Sequence, residues 1–144
     1  MSDGVRIIVR ITDGPLPIGT VGQLPGSDVE MGMNPGAVGA TVVFTGIVRR
    51  EEAGRRIRAL KYDVYEPMAS RMLHALAAEM VRKHGLLGID VEHSRGEVPV
   101  DEGGGCSFRL TVHAAHRKEA LAAIDEFTDR MKKDVPIWKT PVWE

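Results

Sequence analysis

The sequence is poor in cysteine: only Cys106 occurs among 144 residues. We therefore expect neither an internal disulfide nor a cysteine-rich metal site. The formal net charge is −1, which argues against a strong overall field that would attract nucleic acid or a membrane surface. No apolar run approaches the roughly 18 residues of a membrane-spanning helix, and the charged N-terminal stretch is unlike a signal peptide. These absences predict a cytoplasmic protein without a metal, in which any anion site is a local cluster of cations.

A chain of 144 residues suits a single domain, which we assign to residues 1–144. Its pattern alternates between strand-like and helix-like segments, with loops over 13–39 and 99–105 and a turn over 51–54. Strands are predicted over 5–12, 39–50, 55–65, 88–98 and 106–116, helices over 66–85 and 117–135, and an extended segment over 136–143. This order predicts an α+β fold with two main helices and a largely antiparallel sheet, in which 39–50 and 55–65 form a hairpin. The alternation slips around Leu60, which indicates a bulge.

Both predicted helices carry an apolar stripe at helical spacing. The inward-facing residues predicted for the first helix are Ala69, Met72, Leu73, Leu76, Met80 and Val81, and for the second Ala120, Leu121, Ile124, Phe127 and Met131. Pro67 suits the first turn of one helix, Gly85 suits its end, and Pro136 terminates the other.

Two lysines bracket the turn in the stretch MKKDVPIWK, residues 131–139. Lys132 lies in the last turn of a helix, where the dipole favours cations, so by itself it can be a surface residue. Lys139 lies outside the helix, across Pro136 and directly after the apolar Trp138. We interpret this arrangement as an anion-binding site. The alternative is that both lysines are ordinary surface residues.

Three further basic residues fall at predicted element ends. Arg49 closes the apolar strand VVFTGIVR, where it can simply reach solvent or can bind phosphate with two parallel hydrogen bonds. His116 and Arg117 begin the second helix, where unpaired backbone N–H groups favour anions. Sites assemble at such ends, so these cations together predict binding of a phosphorylated small molecule or a carboxylate.

Five collinear segments carry a resemblance to a known family. FTGIVR, LKYDVYEPMA, GEV, AHRKEA and MKKDVPIWK, spread from about Gly36 to Lys139, resemble the large, catalytic subunit of molybdopterin synthase. The resemblance implies an α/β hammerhead fold and a homodimer. Each copy would bind one small ubiquitin-like sulfur-carrier subunit, giving a heterotetramer. It also implies sulfur transfer from the carrier's C-terminal thiocarboxylate to cyclic pyranopterin monophosphate, which forms the dithiolene of molybdopterin without a further cofactor.

The resemblance also implies roles for individual residues. Lys132 corresponds to the main catalytic residue and Lys139 to the second, whose effect would be strengthened by exclusion of water beside Trp138. The substrate-binding positions implied are Ile47, Val48, Arg49, His116, Arg117, Thr140 and Pro141. Ile47 stands where the family often has a lysine. The loop over 99–105 is longer, and the segment after Lys139 shorter, than is usual in the family.

Two other functions compete with this one. The chain could be a non-catalytic family member that only docks a ubiquitin-like carrier. It could also be a small nucleotide-binding or phosphate-ester-processing domain, although it has no phosphate-binding loop, metal cluster or basic stripe in its sequence. Neither alternative implies nucleic-acid or membrane binding.

Overall fold

The computed structural model describes residues 5–17, 36–100 and 105–144. Most of the predicted loops over 13–39 and 99–105 lie outside these residues. The described part of the chain forms seven strands and two helices. In chain order they are β1 (Arg6–Asp13), β2 (Ala40–Val48), β3 (Glu51–Glu52), β4 (Arg55–Val64), α1 (Met68–His84), β5 (Gly88–Pro99), β6 (Gly105–Ala114), α2 (Arg117–Asp134) and β7 (Ile137–Trp143). The predicted α+β class, with two main helices and a largely antiparallel sheet, is confirmed.

Strand β5 is the centre of the sheet and belongs to two groups of strands. Its first part pairs in parallel with β1 on one side and antiparallel with β6 on the other, and β6 in turn pairs with β2. Its last part, from Gly96 to Pro99, pairs antiparallel with β4, which also pairs with β7. Gly96 has a φ of 90°, a conformation that only glycine adopts readily. This glycine therefore stands where β5 leaves β1 and β6 and joins β4.

The prediction that residues 39–50 and 55–65 pair as a hairpin is wrong. Strand β2 pairs with β6 rather than with β4. Only Glu51 and Glu52 pair back onto the start of β4, around a tight turn with positive φ at Ala53 and Gly54. Strand β4 instead pairs with β5 and β7, two partners that lie far away in the sequence. The predicted irregularity near Leu60 occurs as a register shift between Ile57 and Ala59.

The helices pack together and against β1, β2, β5 and β6 around the main hydrophobic core. The stripe of α1 is confirmed: Ala69, Leu73, Leu76 and Met80 are buried, and Met72 and Val81 are partly buried against the core. Ala77 is a further buried residue that was not predicted. The stripe of α2 is confirmed except at Leu121, which is exposed. The buried positions of α2 follow the line of Ala120, Ile124 and Phe127, and a residue one step further along the helix is rotated by about 100° away from that line. Neither helix of the described residues is both long and apolar enough to span a bilayer.

Candidate active site

A cavity of about 540 Å³ opens where the end of β2, the middle of β4, the start of β7 and the last turns of α2 meet. Its volume lies within the range of small-molecule sites, roughly 300–1,000 Å³. Its wall combines aromatic, apolar and charged side chains. The lining residues are Phe44, Thr45, Gly46, Ile47, Val48, Arg49, Glu52, Leu60, Tyr62, His93, Ser107, Phe108, Thr128, Met131, Lys132, Ile137 and Lys139.

A β-bulge shapes one wall of this cavity. Gly46 and Ile47 are consecutive on β2, but their partners on β6 are Phe108 and Cys106, which leaves Ser107 as the extra residue. A bulge bends its strand and re-aims side chains, and bulges are frequent next to active sites. Gly46 also allows close packing, since a Cβ there would lie 3.3 Å from the Cβ of Phe108.

Three cations reach the cavity from three separate elements. Lys132 follows Thr128 by four residues on α2, so both side chains lie on the same face of the helix. Lys139 lies on β7 directly opposite Tyr62 of β4, so its side chain projects from the same face of the sheet as Tyr62. Arg49 follows β2 immediately after its last residue. The structure thus brings together Arg49, Lys132 and Lys139, with Ile47 and Val48 beside them.

A neutral polar group forms the inner part of the cavity. The Tyr62 hydroxyl donates a hydrogen bond of 3.0 Å to Ser107 Oγ. The Nδ1–H of His93 donates to the backbone carbonyl of Ser94 at 2.8 Å, because a carbonyl oxygen can only accept. Burial lowers the pKa of the His93 imidazole and raises the pKa of the Tyr62 phenol. Both side chains are therefore neutral near pH 7.

Aromatic contacts hold this polar group in place. The His93 ring meets Tyr62 edge-on, with ring centroids 5.1 Å apart. It also packs against Phe108, with ring centroids 5.7 Å apart. Phe108 in turn stacks on Phe127 of the main core at 6.3 Å. The cavity wall is therefore continuous with the packed interior, which limits its freedom to rearrange.

The structure does not bring His116 and Arg117 to this cavity. They lie at the start of α2 and Lys132 near its end, so about 24 Å of helix separates His116 from Lys132 at 1.5 Å per residue. Both side chains are exposed, and the Nδ1 of His116 lies 3.4 Å from a carboxylate oxygen of Glu119. Three of the five predicted cations thus share one cavity within a single chain.

The remaining predicted residues follow β7. Pro141 pairs with Leu60 and Thr140 with Lys61. Alternation along a strand puts Pro141 on the face of Lys139 and Thr140 on the opposite face. Neither residue is among those that line the cavity. Trp138, which we expected to exclude water beside Lys139, is 58% exposed and, as the preceding residue on the strand, points away from it. The apolar neighbours in the cavity wall are instead Leu60 and Ile137.

Six polar lining residues were not predicted from the sequence: Thr45, Glu52, Tyr62, His93, Ser107 and Thr128. A strong local signal was absent for each, since Glu52 lies in a predicted turn and His93 and Tyr62 lie within strand patterns. Only the register of β4, β5 and β6 brings Tyr62, His93 and Ser107 together. Among the described residues, no group of three or more His, Cys, Asp or Glu side chains is arranged to hold a metal ion. The absence of a metal therefore stays a prediction.

Comparisons with known proteins agree on one family. The family model described as MoaE protein matches residues 24–134. The molybdopterin synthase catalytic subunit of Coccidioides immitis is 34% identical over 95% of this chain and 64% of that protein. The subunit of the same name from Bos taurus is 32% identical over 95% and 67%. The chain thus spans slightly less than two thirds of the fungal relative.

Solved structures give the same result. Molybdopterin synthase from Staphylococcus aureus superposes with a TM-score of 0.72 at 29% identity, covering 100% of this chain and 93% of the other. A complex of subunits 1 and 2 of molybdopterin-converting factor from Helicobacter pylori contains a chain that superposes with a TM-score of 0.69 at 25% identity, covering 94% and 88%. From its matched segment and its relatives, the chain belongs to the MoaE protein family.

Proposed function

We propose that the protein is the catalytic subunit of a molybdopterin synthase. It would catalyse the transfer of two sulfur atoms, from the C-terminal thiocarboxylates of successive small ubiquitin-like carrier subunits, to cyclic pyranopterin monophosphate, forming the dithiolene of molybdopterin. The observation that carries this proposal is the convergence of Arg49, Lys132 and Lys139 on one cavity. The names of the relatives and the two-subunit complex from Helicobacter pylori support the reaction and the partner.

The cavity offers each reacting group a suitable neighbour. Arg49 provides a planar, permanently charged group that suits a phosphate or a carboxylate. Lys132 would polarise the thiocarboxylate carbonyl or exchange a proton with the ring, and Lys139 would stabilise negative charge that develops during transfer. Threading of the carrier's tail into the cavity would make the transfer effectively intramolecular. Ile47 and Val48 supply apolar surface against the bound ring.

The positions of His116 and Arg117 support a homodimer within a heterotetramer. The length of α2 keeps these residues away from the cavity of their own chain. If they bind substrate, as the family resemblance implies, they serve the cavity of a second copy. Thr140 and Pro141, which lie beside the cavity on β7, keep their proposed substrate-binding role at its margin. The predicted cytoplasmic location is part of the same proposal.

The main test is a sulfur-transfer assay with purified protein, thiocarboxylated carrier and cyclic pyranopterin monophosphate, read out as dithiolene product. Lys132→Ala should lower the rate by at least about a hundredfold, as expected for loss of a group that stabilises the transition state. Lys133→Ala is the matched control, because Lys133 is exposed on the next position of α2 and does not line the cavity. Equal rates for the two variants would refute the role of Lys132. A wild-type protein that binds carrier without forming product would instead support the docking-only alternative.

A mixing experiment tests whether His116 acts in the cavity of a second copy of the chain. Lys132→Ala and His116→Ala are each expected to be inactive as homodimers. If His116 acts across the dimer, each mixed dimer contains one cavity in which both residues are wild type. At random assortment about half of the dimers are mixed, and one of the two cavities in each is intact. Mixing should therefore restore up to about a quarter of wild-type activity per total subunit. Absence of recovery in a mixture shown by mass spectrometry to contain mixed dimers would refute the shared site.

A further inference from the structure

One residue that lines the cavity, Glu52, carries a negative charge and would repel a bound anion. Glu52 lines the cavity beside the three cations, and its Oε1 lies 3.6 Å from Lys139 Nζ. The Glu52 side chain is 25% exposed, compared with 53% for Lys139. In the part of the chain that the structure describes, Arg49 and Lys132 form no ion pair. Of the three cations, only Lys139 is therefore paired with the Glu52 carboxylate.

The backbone explains why Glu52, and not its neighbour, reaches the cavity. Glu51 and Glu52 form β3, pair with Arg56 and Arg55, and precede a tight turn at Ala53 and Gly54. Consecutive residues of a strand point to opposite faces. Glu51 is accordingly exposed and does not line the cavity, whereas Glu52 does. The sequence thus provides two adjacent glutamates, of which only one meets Lys139.

We propose that Glu52 is an internal competitor for Lys139, and this rests on the proposed function of the cavity. In the empty protein its carboxylate pairs with the lysine, and an anionic group of a ligand has to displace it. A small free anion would lose much of its attraction to Lys139 in this exchange and would be repelled by the displaced carboxylate. A ligand with further contacts, such as a phosphorylated ring or a threaded peptide tail, offsets the loss. Glu52 would therefore lower the affinity for every anion that uses Lys139, so that only ligands with further contacts occupy the site at low concentration.

The effect of removing this competitor is moderate, because the ion pair is partly exposed and water screens it. Glu52→Gln keeps the shape of the side chain and removes its charge. We expect inorganic pyrophosphate, and a synthetic peptide that ends in Gly-Gly, to bind the variant about three- to fivefold more tightly than the wild type. Glu51→Gln changes the net charge of the protein by the same amount and should change these affinities by less than about twofold, since its charge points into solvent.

Isothermal titration calorimetry at pH 7 and low salt measures both affinities, and urea unfolding checks that each variant is folded. The gain from Glu52→Gln should fall below about twofold when Lys139 is replaced by Met, because the two changes then act on one interaction. Unchanged or weaker binding by Glu52→Gln overturns the proposal, and weaker binding would mean that Glu52 positions Lys139 for the ligand. Absence of measurable binding to Glu52→Gln also overturns it, since a cavity with three cations and no competing carboxylate should hold pyrophosphate.

The calorimetry is independent of sulfur transfer. If the wild type makes dithiolene but Glu52→Gln does not tighten anion binding, the proposed function stands and the competitor does not. If Glu52→Gln tightens binding through Lys139 but no dithiolene forms, the competitor stands and the proposed reaction does not.

Discussion

The hydrogen bond between Tyr62 and Ser107 gives a sharp test of the cavity's inner wall. Tyr62→Phe removes the hydroxyl that donates to Ser107 Oγ at 3.0 Å. Ser107 is only 5% exposed, so its oxygen would lose this donor in a place that water reaches poorly. A neutral hydrogen bond contributes about 0.5–1.5 kcal/mol net, and a buried polar atom left unpaired costs about 1–3 kcal/mol. We therefore expect the free energy of unfolding to fall by about 1–2 kcal/mol.

Urea denaturation followed by circular dichroism measures this change, and Tyr65→Phe is the control. Tyr65 lies three residues further along and is exposed, so loss of its hydroxyl should cost less than about 0.5 kcal/mol. In thermal melts, each kcal/mol corresponds to a decrease in Tm of about 2–4 °C for a chain near this size. The reasoning is refuted if the two tyrosine variants lose the same stability.

A double-mutant cycle separates the bond from other effects of the substitution. In the presence of Ser107→Ala, Tyr62→Phe should cost about 1 kcal/mol less than in the wild type, because the partner that would be left unpaired is already gone. Additive losses would show that the hydroxyl of Tyr62 stabilises the fold by some other route.

Two further predictions concern stability away from the cavity. Phe127→Ala should lower the free energy of unfolding by about 3–5 kcal/mol, because Phe127 is fully buried against Phe108, whereas Leu121→Ala on the exposed side of the same helix should change it by less than about 0.5 kcal/mol. Bonds from Lys83 and His84 hold the pKa of the Glu126 carboxyl at about 2, below its ordinary value of 4.5. A carboxyl whose pKa is lower in the folded state stabilises the protein above its unfolded pKa. The stability difference between the wild type and Glu126→Gln in urea melts should therefore shrink as the pH falls from about 5 towards 2, and a constant difference over that range would contradict this role of Glu126.

Local patterns were sufficient to predict the helices. The stripe from Ala69 to Met80 repeats at helical spacing, and Gly85 ends the helix in the left-handed conformation expected of a C-cap, with φ of 66°. These features depend on neighbours in the sequence, so a single sequence contains them. Strand pairing is different, because it depends on segments that are far apart. The pairing of β2 with β6 instead of β4 could not be read from alternation alone.

The residues of the candidate site also fall into those that local sequence features predict and those that depend on the fold. Arg49, Lys132 and Lys139 were identified because basic residues at element ends are visible in the sequence and match the family's motifs. The same signal also selected His116, which shares a helix with Lys132 but lies at its far end. Position at an element end therefore predicts that a residue can join a site, but not which site it joins. The length of α2 keeps His116 away from the cavity that Lys132 reaches. Such distances are known only from the folded chain and its assembly.

Two of the residues that escaped prediction, Ser107 and His93, lie where the sheet departs from regular geometry. Ser107 is the extra residue of a bulge, and His93 lies three residues before Gly96, where β5 changes partners. The regular strand pairing is interrupted at both points, and Ser107 and His93 both line the cavity. The cavity therefore lies where the sheet departs from regular pairing, and regular periodicity is the signal that sequence reasoning uses. Residues at such breaks are the ones that pattern analysis misses, and here they include the neutral wall that faces the predicted catalytic lysines.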